Sequence, residues 1–255
     1  MKQPDEFYIG WEAKAAPGIG KTIRITVGGL LAVVVVAAIA FALAQRLITD
    51  GVFEWGHLKM VSGVLESQPY PHLLVTRPGK VAGLPGFSSY YLVAPWKFGL
   101  PQDAIAPFAG KPVTVKGTLI YRGGQTMIET KPEWIQATAP SAPAITPTPV
   151  SLGRQTLTGE IVDSKCFLGV MNPGQYLPHR ACAIRCISGG VPPILVVHAQ
   201  DGSLTHFLLV SAAGQPVNQQ VLNLVAEPVE ITGEVVRQGE LLILSADPAT
   251  YRRRK

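Results

Sequence analysis

The chain has 255 residues and a net charge of +5, and charged residues make up only 15% of it, against about 25% in an ordinary soluble domain. This composition excludes a disordered, charge-rich chain, and three cysteines are too few for a small disulfide scaffold. The apolar excess lies in one segment, which excludes a membrane protein with many spans and argues against a wholly soluble one.

The apolar segment is a run of twenty uncharged residues from Ile25 to Ala44. At about 1.5 Å per residue, a helix of this length crosses a hydrocarbon core of roughly 30 Å. We predict a cytoplasmic leader over residues 1–24 and a transmembrane helix over residues 25–45. More lysines and arginines precede the run than follow it, which predicts a single-pass protein of the bacterial inner membrane with its bulk in the periplasm. A cleaved signal peptide is the alternative, since Ala42-Leu43-Ala44 fits a cleavage site, and it exports the same residues.

The exported part of the chain contains an internal repeat. Its second copy carries an insertion of some twenty residues in its middle. The matched pairs, in chain order, are Val61–Leu65 with Leu157–Ile161, Arg77-Pro78-Gly79 with Asn172-Pro173-Gly174, Tyr90–Val93 with His206–Leu209, Lys111–Gly117 with Glu227–Gly233, and Gln125–Glu129 with Glu240–Leu244.

A proline-rich segment lies between the two copies. Thr138 to Val150 reads TAPSAPAITPTPV and has no charge, which is typical of a semi-rigid extended linker. We therefore predict one domain over residues 52–137, a linker over 138–153, a second domain over 154–250 and a basic tail over 251–255.

Each copy is rich in predicted strands. Val113 to Leu119 and Val229 to Val236 alternate between apolar and polar residues, as half-buried strands do. Gly117 and Gly233 interrupt these runs, where a bulge or a sharp bend is expected. The pattern predicts a mainly β protein, in which the N-terminal transmembrane helix is followed by two OB-like β-barrels and the second barrel carries a short inserted helix. A β-sandwich is the alternative fold.

All three cysteines fall in the second copy, and one histidine lies beside them. Pro178 to Cys186 reads as a helix stopped by Gly189-Gly190. On a helix, His179, Cys182 and Cys186 share one face, and Cys166 ends the predicted strand that opens the domain. The fold can bring all four side chains together.

One interpretation of this cluster is a metal site formed by Cys166, His179, Cys182 and Cys186. One imidazole and three thiolates suit Zn²⁺, Cu(I) or an iron–sulfur cluster, although the spacing is no standard zinc motif. The alternative is a disulfide among Cys166, Cys182 and Cys186, because exported cysteines usually oxidise. Inert buried thiols are the third interpretation.

Two longer segments carry a resemblance to known proteins. GEIVDSKCFLGVMNPG, from Gly159 to Gly174, is followed by PHRACAIRCISGGVPP, from Pro178 to Pro193. This motif resembles an uncharacterised group of bacterial membrane-anchored proteins. The resemblance implies an association with membrane redox enzymes, but it does not indicate a particular activity. At the level of fold the chain is also similar to the periplasmic haem chaperone of cytochrome c maturation, an anchored OB barrel, but it lacks that protein's HxxxY motif.

These observations lead to two hypotheses for function. The first is a periplasmic accessory or assembly subunit that binds subunits of a membrane redox complex through its tandem barrels. The second is a metal-binding or thiol-redox protein that uses the four cluster residues. No Ser-His-Asp spacing, paired-carboxylate motif or phosphate-binding loop supports an enzyme, so we assign no catalytic and no organic-cofactor residues. An exported domain rarely meets nucleic acid, so we expect the partners to be the lipid bilayer and membrane proteins.

Overall fold

The computed structural model describes residues 15–45, 51–77, 86–139 and 147–254. Residues 1–48 and 49–255 form two separate compact units, which we describe individually. Most of the predicted leader, the Pro78-Gly79 pair and the centre of the proline-rich linker lie outside the described residues.

The described part of the first unit, residues 15–45, contains one long helix, α1 (Pro17–Gln45). Residues Pro17–Ala44 have a mean hydropathy of 2.8 and are long and apolar enough to cross a membrane. The helix begins eight residues before the predicted Ile25. Proline is favourable in a first helical turn, and the long side chains of Lys21 and Arg24 do not interrupt a helix.

The second unit contains the two predicted barrels. The first barrel is built from β1 (Val52–Glu66), β2 (His72–Thr76), β3 (Phe87–Val93), β4 (Pro112–Arg122) and β5 (Gln125–Ala137), with a short helix α2 (Gln102–Ile105) before β4. Its strands close in the order β1-β2-β3-β5-β4. All neighbours are antiparallel except β3 and β5, which are parallel.

The second barrel repeats this topology with β6 (Val150–Asp163), β7 (Pro193–His198), β8 (Leu204–Val210), β9 (Pro228–Gln238) and β10 (Leu241–Ser245). Again one pair, β8 and β10, is parallel, and β10 pairs with β9 to close the barrel. This arrangement is that of an OB-like barrel and confirms the predicted fold class. The described end of the basic tail is not free, because Arg252–Arg253 form a short strand, β11, along β9.

Four of the five predicted repeat pairs occupy equivalent strands, but the pairing of Arg77 with Asn172 is wrong. Arg77 follows β2, whereas Asn172 lies between β6 and β7. The insertion also lies there: residues 67–71 join β1 to β2, and residues 164–192 join β6 to β7. It contains the predicted helix, α3 (Arg180–Ser188).

Among the described residues of the second unit, three apolar clusters hold the structure together. One fills the first barrel around Leu65, Leu92 and Ile128, and another fills the second barrel around Ile161, Leu195 and Leu244. The third lies between the barrels and joins their outer faces to the insertion; its members include Tyr91, Met127, Phe167, Cys186, Ile194 and Leu208. The two barrels therefore pack directly on one another, and the cysteine-bearing insertion lies at their interface.

Candidate metal centre

The insertion positions the candidate residues on three short elements that follow one another. Asp163 ends β6, and Cys166 begins a single π-helical turn (Cys166–Val170) rather than ending the strand as predicted. His179 ends a 3-10 turn (Leu177–His179) that leads into α3. Gly189 caps α3 with its N–H on the carbonyls of Arg185 and Cys186, so the predicted glycine stop is confirmed.

The structure brings the four predicted residues together in two overlapping trios of potential ligands. Cys166, His179 and Cys182 form one trio, and Asp163, Cys166 and Cys186 form the other. Within each trio the ligand atoms lie within 4.8 Å of one another. Cys166 belongs to both trios and is the centre of the cluster.

All three cysteines are described, and all three are free thiols. The Sγ atoms of Cys166 and Cys182 are 3.9 Å apart, whereas a disulfide needs about 2.05 Å. The structure therefore contains no disulfide, and the alternative pairing among Cys166, Cys182 and Cys186 is not realised in it.

The imidazole of His179 is held by a fully buried carboxylate. His179 Nε2 lies 2.9 Å from Asp163 Oδ2, and the other oxygen, Oδ1, accepts the backbone N–H of Cys166 at 2.8 Å. In the neutral imidazole, a hydrogen on Nε2 is donated to this carboxylate, which leaves the lone pair of Nδ1 available to a ligand. A carboxylate that orients a histidine in this way is the usual outer-shell partner of a metal-binding imidazole.

The pKa values of the Cys166 and Cys186 thiols are shifted in opposite directions. A hydrogen bond to Cys186, together with burial, raises the pKa of Cys166. The same hydrogen bond lowers the pKa of Cys186, because Cys166 donates and Cys186 accepts. The interaction with Cys182 also lowers the pKa of Cys186.

The first barrel contributes a cation that the sequence did not indicate. Lys97 Nζ donates to Cys182 Sγ at 2.7 Å, and this bond raises the pKa of Lys97. Beside the cluster, Lys165 is buried and pairs with Glu129 of β5. Lys97 could not be predicted from spacing, because it lies 85 positions before Cys182 in the chain. Of the residues that were not predicted, Asp163 has a recognisable signal in the sequence: it is a carboxylate three residues before the predicted ligand Cys166.

Part of the face on which OB folds most often bind ligands is covered in each barrel. Ligands of OB folds usually lie on strands 2 and 3. Tyr91 and Val93 of β3 and Ile194 and Leu208 of β7 and β8 instead belong to the cluster between the barrels. Those parts of the two faces lie in one apolar cluster together with the insertion.

No family model and no curated protein matches the chain. Among solved structures, it is similar to a deletion mutant of the single-stranded DNA binding protein from Thermus aquaticus. That match has 12% identity and a TM-score of 0.24, and it covers 82% of this chain and 89% of the other. A likeness at this level carries no argument about function.

Proposed function

We propose that the protein is a membrane-anchored metal-binding protein, and that its centre holds Zn²⁺ on Cys166, His179, Cys182 and Cys186. The observation that carries the proposal is the separation of 3.9 Å between the Cys166 and Cys182 sulfurs. Two thiolates on one tetrahedral zinc, each about 2.3 Å from the metal, lie about 3.8 Å apart. Cys166 and Cys182 therefore stand at the spacing that zinc requires, with His179 in the same trio and oriented by Asp163. Cys186 lies in the second trio with Cys166 and is the fourth ligand of the proposed site.

The charges near the cluster favour a divalent over a monovalent ion. Three thiolates around Zn²⁺ leave one unit of negative charge, and Lys97 supplies one positive charge at hydrogen-bond distance from Cys182. Cu(I) on the same donors leaves a further uncompensated negative charge in a largely buried site, which is costly. Binding of Cu(I) in preference to Zn²⁺ is the outcome that would change the metal in this proposal.

The proposed location is the periplasmic side of the bacterial inner membrane. Its support is the length and apolar character of α1 and the excess of basic residues before it. A reporter enzyme fused to the C-terminus tests this location: activity only in the cytoplasm would contradict it.

Association with a membrane redox complex, as an accessory or assembly subunit, stays a prediction from the sequence. The proposal made here is metal binding alone. The packing of the two barrels on each other supports a partner other than nucleic acid, because it covers part of the faces on which OB folds bind single strands.

The direct test is metal stoichiometry on the full chain, purified in detergent, reduced, stripped of metal and reloaded with Zn²⁺. We expect one zinc per chain and loss of thiol reactivity on loading. We expect Cys182→Ser and His179→Gln to lower the zinc affinity by more than the 10- to 100-fold of an outer-shell change. His198→Gln is the matched control, since His198 is an exposed histidine outside the cluster. A reduced chain that takes up no zinc, and whose thiols react equally with and without it, would overturn the proposal.

A further inference from the structure

A loop of the first barrel, Ala94–Gly99, closes against the metal-site helix of the second. The N–H of Gly99 donates to the carbonyl of Gly189 at 2.9 Å, and the Phe98 ring lies 5.7 Å from the Arg185 guanidinium. A Cβ atom built on Gly189 would lie 2.1 Å from the carbonyl oxygen of Lys97. Backbone meets backbone at this point, so a side chain on Gly189 would force the loop away from α3.

The start of the same loop is fixed by Lys165, whose side chain is 1% exposed. Its ammonium donates to the carbonyls of Ala94 at 2.9 Å and Trp96 at 2.7 Å. It also pairs with Glu129 at 2.5 Å, so its three hydrogens are matched by three acceptors. Lys165 directly precedes Cys166 in the chain. One stretch of backbone therefore supplies both a ligand and the anchor of the loop.

Lys97 lies between these two attachment points. Its ammonium donates to Cys182 Sγ, and Cys182 is partly exposed whereas Cys166 and Cys186 are buried. Hydrogen bonds from a cation to a charged acceptor are about twice as strong as neutral ones. The ammonium therefore covers the most accessible thiol of the cluster and holds its sulfur in place.

We propose that Lys97 is a positioning residue of the metal centre, which offsets the surplus charge of the zinc–trithiolate unit and fixes Cys182, so that the first barrel completes a site built in the second. This inference rests on the proposed function. By linkage, bound metal then stabilises the docking of the loop, and docking of the loop strengthens metal binding.

The test compares Lys97→Met, Lys97→Arg and Gly189→Ala with Gly86→Ala in the full chain. Gly86 is the matched control, because a Cβ atom there meets nothing within 4 Å. We expect Lys97→Met and Gly189→Ala to lower the zinc affinity about 10- to 100-fold, Lys97→Arg to restore most of it, and Gly86→Ala to leave it unchanged. With Co²⁺ as a spectroscopic probe, Lys97→Met should also shift the thiolate-to-cobalt charge-transfer band.

The unfolding midpoint of the metal-free chain separates positioning from folding. We expect Lys97→Met to leave that midpoint unchanged while it lowers the affinity for zinc. Wild-type affinity and an unshifted cobalt spectrum in Lys97→Met would overturn this inference and leave the metal site standing. Failure of the wild-type chain to bind zinc or cobalt would instead overturn the proposed function.

Discussion

His206 is a partly buried base next to the interface between the barrels. Burial and the nearby Arg122 guanidinium lower its pKa from 6.5 to about 4, and its ring lies 5.7 Å from that of Phe167. Between pH 4 and 6.5 the unfolded chain binds a proton at this residue that the folded chain does not bind. The contribution of His206 to the free energy of unfolding is therefore complete above about pH 6.5 and is lost as the pH is lowered towards 4.

We predict that protonation of His206 in the unfolded chain lowers the free energy of unfolding by up to about 3 kcal/mol between pH 7 and pH 4. Denaturant unfolding of wild type and His206→Gln at several pH values measures it. The variant should show a shallower loss of stability with acid, and burial of His72, which lowers its pKa, accounts for part of the slope that is left. Equal slopes in the two chains would contradict the prediction.

Asp163 is the residue of the centre that was not predicted although the sequence held a usable signal for it. Its two oxygens accept from different donors, His179 Nε2 and the N–H of Cys166. An amide at this position has only one acceptor oxygen, so Asp163→Asn leaves one buried donor facing an NH₂ group. We predict a loss of about 1–3 kcal/mol in stability and about 10- to 100-fold in zinc affinity.

The control for this substitution is Glu160→Gln. Glu160 is a carboxylate on the same strand, but it accepts a hydrogen bond from the backbone N–H of Tyr176 and not from His179. Calorimetric titration with zinc measures the affinity of both variants. Equal affinities in Asp163→Asn and wild type would show that the carboxylate does not orient the imidazole.

At the scale of elements, the sequence predicted the repeat because the same steric requirement recurs in both barrels. A Cβ on Gly63 of β1 would lie 2.4 Å from the carbonyl of Leu74, and one on Gly159 of β6 would lie 2.2 Å from that of Val196. Gly117 and Gly233 make the same kind of close approach to β5 and β10. A register shift next to Gly117 confirms the expected bulge there. The Arg77–Asn172 match failed because Asn172 lies inside the insertion, where the close approach of Gly174 is to the carbonyl of Cys166 and not to a neighbouring strand.

We predict that Gly159→Ala destabilises the protein by about 1–3 kcal/mol, as overpacking does. The added methyl group meets a backbone carbonyl of β7, which moves only if the strand moves. Gly86→Ala is again the control, and the denaturation midpoint at constant slope is the measurement. A stability equal to wild type would mean that β6 and β7 separate without cost.

At the scale of the whole molecule, the sequence indicated two barrels joined by a proline-rich spacer but not that the barrels pack together. Single-sided strands alternate between apolar and polar residues, whereas strands buried on both faces read as continuous apolar runs. Pro193–Val197 and Phe207–Val210 are such runs, and their outer faces lie in the cluster between the barrels. These two apolar runs indicated that the strands are buried on both faces. The pattern of a single sequence does not identify the surface that packs against the second face. Lys97 could not be predicted for the same reason, since its role depends on that packing.

The packing predicts that the second barrel does not stand alone. A fragment of residues 147–255 lacks the first-barrel members of the cluster between the barrels, such as Tyr91 and Met127. The apolar surface that they cover is then exposed, and an apolar patch of this kind promotes association. We expect that fragment to self-associate or to unfold with a broad transition, whereas residues 49–255 should remain monomeric and unfold in one cooperative step. Size-exclusion chromatography and denaturant unfolding of the two fragments measure this. A monomeric second barrel that unfolds as sharply as the pair would show two independent domains, and the metal centre would then have to form without Lys97.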